Sequence, residues 1–477
     1  MRAQSETDAN VVGAGPNGLA AAITLARAGR SVRLLEMRDT VGGAARSGAI
    51  TLPGFVHDVG ASVFPLGVAS PFLRTLPLEE LGVKWIHPSA PLAHPLDDGT
   101  AAILEPSLAA MTATLGADGP AWRSLVEPFA GAAESLLREI LAPPHVPAHP
   151  LLLARFGLHA LRPACGLAAT RFRTPHARAL FAGLSAHDTQ PPDYPATSAF
   201  GLLFAILGHT TGWPIVAGGT QKFSDALAAH FRSLGGEIET GRRVASLDEL
   251  PPARATLLDV TPRQFAALAG SRLAASERNR VARFRYGPGI FKVDWALKAP
   301  IPWRAAACAR AATVHVGGAI DEIAANEKAV ARGEIPRSPF LILVQPTLFD
   351  PSRAPAGQHT AWAYCRVPNG SDADMLAAVE AQVERFAPGF RDCILARHTL
   401  GPAQLEALNP NLVGGDIAGG AMNLGQLLTR PFVKSNPYAT GLPGVYLCSS
   451  STPPGGGVHG MCGFHAATAV LRRELHR

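Results

Sequence analysis

Short apolar runs along this chain alternate with longer stretches whose apolar residues recur every three or four positions. The first of these patterns predicts a strand ending at Val12, an Ala- and Leu-rich helix over residues 19–28, and a second strand over 31–35 that runs into Glu36. Asn10 interrupts the first strand, so either its side chain finds a hydrogen-bond partner or the strand starts at Val11. Downstream, helical spacing covers 108–115, with Ser107 as N-cap, and 121–141, 224–234, 372–386 and 461–471. Strand-length runs fall at 237–239, continued by Arg242-Arg243-Val244, and at 255–260, 290–297, 340–346, 360–366 and 444–448. The strand–helix–strand opening places the chain in the α/β class.

Between the first strand and helix stands Gly13-Ala14-Gly15-Pro16-Asn17-Gly18. In that setting the three glycines serve a dinucleotide. Gly13 allows the tight turn, Gly15 lets backbone approach a pyrophosphate, and Gly18 lets helix and strand pack closely. The helix N-terminus offers free N–H groups and a positive dipole end. Glu36 ends the second strand, where a ribose-binding carboxylate belongs.

Three further blocks narrow the dinucleotide. Gly42-Gly43 with Arg46 resembles the GGxxR segment of FAD enzymes of the amine oxidase and phytoene desaturase type. Gly218-Gly219 opens a helix and strand that, in such enzymes, return the chain to the cofactor and set backbone near Val244 against adenine. The 444–448 strand leads into a loop, Gly455-Gly456-Gly457-Val458-His459-Gly460, whose following helix points its N-terminus at the flavin. No βαβ unit surrounds this last glycine cluster, so it is not a second nucleotide fingerprint.

Together these blocks resemble the phytoene desaturase-like FAD oxidoreductases. Within them, 409–416, Asn436-Pro437-Tyr438, the 447–463 segment and Pro53-Gly54-Phe55 with His57-Asp58 are similar to the branch of pyridine nucleotide-disulphide oxidoreductase domain-containing protein 2. The resemblance implies an α/β fold: a Rossmann-type FAD-binding domain (glutathione reductase/amine oxidase-like) with an interleaved α+β substrate domain. The first would comprise residues 1–105, 215–290 and 440–477, the second 106–214 and 291–439. Cys448-Ser449-Ser450 departs from the Val-Gly-Ala stretch common in carotenoid desaturases, which argues against a carotenoid. The residues expected at FAD are Gly13, Gly15, Pro16, Asn17, Gly18, Glu36, Met37, Gly42, Gly43, Ala44, Arg46, Gly60, Ala61, Ser62, Val244, Ser450, Gly457, Val458, His459 and Gly460.

Composition then excludes several classes. With 47% hydrophobic and 17% charged residues the chain is globular, and a net charge of +6 without a basic, aromatic-rich stripe gives no reason to expect nucleic acid. The six cysteines, Cys165, Cys308, Cys365, Cys393, Cys448 and Cys462, form no CxxC, which argues against disulfide reduction and fits a reducing, cytoplasmic setting. The polar lead-in from Met1 to Asp8 leaves no room for a signal peptide, and the best spanning candidate, 199–219, is broken by glycines and Pro214. His145 and His149 have HxxxH spacing, but prolines between them argue against a metal site. Residues 151–173, apolar with Arg155, Arg162, Arg171 and Arg173, read either as a helix packed over the substrate cavity, the favoured reading, or as a peripheral membrane contact.

FAD carries the redox chemistry, so no nucleophile is needed. Candidates near the ring are Asp58, Gly60, Ala61 and Ser62, with His459 as hydrogen-bond donor or acid/base. Tyr438 and Lys434 are weaker candidates; His187, Asp188 and His209 are candidate cavity residues. The expectation is a dehydrogenase, desaturase or saturase of a small hydrophobic, polyene or lipid-like substrate. The electron acceptor (oxygen, a quinone or a protein) and the oligomeric state stay open, and no second nicotinamide unit is visible. A redox-neutral double-bond isomerase and a non-catalytic flavin-binding regulator are the alternatives. The regulator requires a flavin ring walled off from any substrate-sized cavity.

Overall fold

A computed structural model describes residues 7–476. Residues 1–6, most of the polar lead-in, lie outside the described residues. The chain opens with β1 (Thr7–Val12), α1 (Pro16–Arg27) and β2 (Val32–Leu35). It crosses to β3 (Ala90–Pro95) and β4 (Ala101–Leu104), then runs through a helical stretch. That stretch includes α2 (Pro150–Ala160), α3 (Ala164–Arg171), α4 (Pro175–Ser185) and α5 (Ser198–Thr210). It returns with α6 (Gln221–Ser233), β5 (Glu237–Glu239) and β6 (Ala253–Leu258). It leaves again for β7 (Gly289–Leu297), β8 (Ala311–Val316), β9 (Leu341–Val344), β10 (His359–Val367) and β11 (Ile394–Leu400). It comes back last with β12 (Val445–Leu447) and α7 (Met461–Arg473).

Five parallel strands form the first sheet, in the order β12-β6-β1-β2-β5. Because all run the same way, the loops after β1, β2, β6 and β12 gather at their carboxyl ends, the crevice where open α/β sheets bind ligands. Asn10 lies inside β1, fully buried, and its Nδ2 donates to the Pro251 carbonyl at 2.7 Å. Helix α1 is alanine-rich because it lies between this sheet and α7. The two helices approach so closely that a Cβ on Gly463 would run into the Asn17 carbonyl.

The second sheet has seven strands in the order β11-β7-β10-β9-β8-β3-β4, antiparallel except for the β8–β3 pair. Its alternate residues divide two environments. Phe291, Val293, Trp295, Leu343, Ala363 and Cys365 pack with Val379, Val383 and Phe386 in one core cluster. Ile290, Lys292, Ile342, Val344, Trp362, Tyr364 and Arg366 face a cavity on the other side. Burial on both faces explains why β7 is apolar apart from one charged pair, Lys292 and Asp294.

Several expectations need correction. Residues 90–104, assigned to the cofactor segment 1–105, belong to the second sheet, where Leu92 pairs with Thr313. Their partner lies more than 200 positions away, and no local pattern reports it. The 121–141 stretch is two helices, Gly119–Ala130 and Ala133–Ile140, divided at Gly131. The 372–386 helix begins only at Leu376, because the Ser371 and Asp374 side chains accept from the backbone N–H groups of Ala373 and Leu376 and hold a turn instead. Arg242–Val244 does not extend β5: Gly241, at φ +69°, turns the chain, and Arg242 N–H donates to the Glu36 carbonyl at 2.8 Å. Residues 151–173 form α2 and α3, separated at Pro163. Ser107 caps its helix as expected, accepting from Ala110 N–H at 3.1 Å. No helix among the described residues is long and apolar enough to cross a membrane.

Candidate active site

At the carboxyl ends of the parallel strands lies a cleft of about 370 Å³. Its floor is the glycine loop. Gly18 N–H donates to Asp259 Oδ2 at 3.0 Å, and a Cβ on Gly15 would stand 2.8 Å from that same oxygen. The loop glycines are therefore needed for its seat on Asp259 as well as for a ligand's approach. Glu36 fixes the loop from the other side, its carboxylate accepting from Ala14 N–H at 2.7 Å and Arg38 N–H at 3.0 Å. The Gly42-Gly43 turn lies against the loop, a Cβ on Gly43 falling 3.0 Å from Gly15 Cα. Met37, Val244 and Ser450 also line the cleft, together with Arg38, Arg242 and Arg243. The arrangement fits the adenosine and pyrophosphate half of FAD. Facing glycines leave a side-chain-free cradle, arginines border it, and the buried Asn17 Oδ1 within it has no partner in the protein.

Sharing Pro16, Asn17, Gly43, Ala44 and Ser450 with that cleft is a second cavity, also of about 370 Å³. Arg46, Gly60, Ala61, Ser62, Gly457 and Val458 frame its near end. Arg46 is steadied by donating from Nε to the Gly43 carbonyl at 2.8 Å. Farther in, the walls are Phe200, Phe204, Trp213, Ile342, Val344 and the stacked pair Trp362–Tyr364, at 6.1 Å and 11°.

Beneath the near end lies a buried charge network. Asp58 takes Arg353 Nη1 at 2.5 Å, Ser47 Oγ at 2.7 Å, Thr220 N–H at 2.8 Å and the Ser62 hydroxyl. Burial works to raise the Asp58 carboxyl, but Arg353 and these donors outweigh it and hold the group below its ordinary range. Lys292 pairs with Asp294 and reaches the Asp58 carbonyl at 3.2 Å, with its Nζ 5.2 Å from the Trp362 ring centre. Burial raises Asp294, and burial followed by the Lys292 charge pushes His57 down to about 3. Also at the cavity wall, Arg366 pairs with Glu327 at 2.8 Å, both buried, and His187 contacts His315 at 3.0 Å.

Several expected residues stand elsewhere. His459 does not line either cavity. It is fully buried, its Nδ1 accepts from Met461 N–H at 3.0 Å, and burial lowers its pKa to about 4. It caps α7 as a neutral imidazole and is placed for no acid/base role near neutral pH. Tyr438 is buried behind the wall, its hydroxyl donating to the Pro453 carbonyl at 3.0 Å. Gly18, Gly42 and Gly460 support the site without lining it. Lys434 binds the Ala439 carbonyl, and His209 accepts from Trp122 Nε1 at 2.9 Å, both away from the cavities. His187 lines the cavity; Asp188 is buried beside it, pushed up to about 7 by desolvation. His145 and His149 both bond Glu139, at 2.8 and 2.9 Å, and no metal-holding group occurs among the described residues.

Sequence reasoning missed Asp259, Lys292, Trp362 and Arg366. A signal existed for two of them: Lys292 and Arg366 are charged residues inside strands that otherwise read as buried.

Comparison with known proteins adds the family context. The profile described as flavin containing amine oxidoreductase matches residues 17–287. The mouse pyridine nucleotide-disulfide oxidoreductase domain-containing protein 2 is 27% identical, over 99% of this chain and 94% of its own length. The hydroxyneurosporene desaturase of Rhodobacter capsulatus is 48% identical over 63 residues, covering 13% of this chain and 12% of its own. Among solved structures, an oxidoreductase from Methanosarcina mazei superposes with a TM-score of 0.64 at 16% identity, over 98% of this chain and all of its own.

Proposed function

This chain belongs to the flavin-containing amine oxidoreductase family and is an FAD-dependent oxidoreductase, and we propose that it adds or removes hydrogen at a C–H bond of an apolar, uncharged substrate. The observation that carries this reading is the electrostatics of the second cavity. Its apolar walls run up to the residues that would frame the flavin ring, and the two ions of its inner wall have partners: Lys292 has Asp294, and Arg366 has Glu327. Arg46, without a carboxylate partner among the described residues, stands at the end where the flavin would sit. A free amine or carboxylate among the inner walls would meet no unpaired countercharge there, and burying a lone charge is costly.

When bound, FAD supplies hydride transfer at flavin N5. The chain's part is placement. The glycine loop, Glu36 and the arginines at the cleft would hold the adenosine and phosphates. Arg46, Gly60–Ser62 and Gly457–Val458 would frame the ring. Phe200, Phe204, Trp213 and Trp362 would present an apolar wall to the reacting face. The cavity imidazole, His187, is pushed down to about 3 by burial and then by Arg366, so it is neutral and a poor base. A substrate that needs no proton abstraction suits such a wall. The open cavity also speaks against a walled-off, non-catalytic flavin site.

Anaerobic mixing of the flavin-loaded protein with polyenes, long-chain enones, amines and carboxylates tests this reading. Bleaching of the oxidised flavin, or recovery of its absorbance from the reduced form, is expected only with the uncharged apolar compounds. Bleaching by an amine such as putrescine, with the apolar set inert, would overturn the reading.

A further inference from the structure

Helix α2 is apolar on both sides. Phe156 and Ala160 point inward and are buried, yet Leu151 and Leu158, two turns apart on the opposite side, are 86% and 73% exposed. Val146 before the helix and Leu161 after it are 91% and 58% exposed. Apolar residues of this size seldom stand clear of a monomer's surface in one contiguous stripe.

The charge carried by the stretch around the stripe is equally one-sided. Residues 141–187 contain no Asp, Glu or Lys but carry Arg155, Arg162, Arg171, Arg173 and Arg178, in a chain whose net charge is +6. None of these arginines forms an ion pair among the described residues. His159, on α2, is lowered first by burial and then by the charges of Arg171, Arg162 and Arg155, the last on the helix itself. The nearby acids are occupied: Glu139 is buried and holds His145 and His149, Asp118 accepts from the backbone N–H groups of Arg173 and Thr174, and Asp193 pairs with Lys328.

We propose that the α2 face docks on an anionic lipid bilayer, with Leu151, Leu158 and Leu161 entering the headgroup–acyl boundary and the surrounding arginines meeting lipid phosphates. An apolar face rimmed by cations, lying in a surface helix, has the chemistry of an interfacial anchor. A second copy of this chain fits less well. A two-fold contact through the same face would set arginine against arginine, with no acid within residues 141–187 to separate them. Helix α2 packs on α5, whose Phe200 and Phe204 line the cavity, so a docked bilayer would lie one helix layer from the substrate space. Vesicle binding is measured without turnover, so this proposal stands or falls separately from the substrate reading.

The test is flotation of the full-length, flavin-loaded protein with phosphatidylcholine vesicles and with vesicles containing phosphatidylglycerol. The variants are Leu151→Ser/Leu158→Ser and Arg155→Ser/Arg171→Ser, each checked for bound flavin and unchanged thermal unfolding. Binding is expected to be about tenfold or more stronger to the anionic vesicles, weaker at high salt, and reduced about tenfold by either double variant. Equal binding to both vesicle types, no binding, or binding untouched by the substitutions would overturn the proposal. So would a dimer in sedimentation that Leu151→Ser/Leu158→Ser converts to monomer while the parent protein ignores vesicles.

Discussion

Asp259 illustrates how much one residue carries beneath the glycine loop. Its carboxyl accepts from Gly18 N–H, and burial pushes its pKa from an ordinary 3.8 up to about 7. Below pH 3.8 the group is neutral whether the chain is folded or not, and it has no effect on the balance. Between that value and about 7 the folded state keeps a proton the unfolded chain has lost, so the ionised form increasingly disfavours folding. Above about 7 that penalty is complete. Asp259→Asn, which can still accept from Gly18, is therefore expected to unfold several degrees higher than the parent at pH 8 and at the same temperature at pH 4. Melting curves across that range are the check. Lys292 and Asp294 form the second residue-scale case. Lys292→Met strands a buried carboxylate and is expected to cost about 3–5 kcal/mol in denaturant unfolding. Lys292→Met/Asp294→Leu, which removes both charges, should recover most of that loss. A double variant no more stable than Lys292→Met would show that the pair is not the unit.

At the scale of elements, the contact between α1 and α7 decides how the glycine loop is held. Gly463 lets the helices meet, and a methyl group there runs into the Asn17 carbonyl, beside the cleft. Gly463→Ala should cost about 1–3 kcal/mol, as overpacking does, and should weaken FAD retention because the displaced backbone is that of the loop itself. Flavin absorbance after gel filtration and thermal unfolding would read the two effects. By contrast, Ser107→Ala removes only a side-chain cap far from the cofactor, and a loss of about 1 kcal/mol with unchanged flavin content is expected.

For the molecule as a whole, the cofactor cleft draws on residues from 12 to 451, so FAD binding ties together segments that the chain visits separately. A ligand held only by the assembled cleft stabilises the fold by about 2.7 kcal/mol at a hundredfold excess over its Kd. Stripping FAD should accordingly lower the unfolding temperature, and titrating it back should restore it in a concentration-dependent way. A melting point indifferent to FAD would mean that the cleft is not what FAD holds together.

What the amino-acid order determined by itself was local. Gly13 to Gly18 followed by a helix, a second strand and Glu36 had to form a dinucleotide loop, because all of these features lie within one continuous strand–helix–strand unit. The buried Asn10 betrayed its need for a partner in the same way. The Ser107 cap was legible because a hydroxyl reaches only its own helix. Long-range partnership was not legible. Nothing near Leu92 states that it pairs with Thr313, and nothing near Asp259 states that it lies under Gly15 and Gly18. His459 shows the limit most clearly. A histidine at a helix start reads equally as acid/base or as cap, and only the packing of α7 decided for the cap, by burying the ring and turning its Nδ1 back onto Met461. Side-chain direction and the neutralisation of one buried charge by another arise when distant segments meet, and for that reason the cavity's character belonged to the tertiary structure alone.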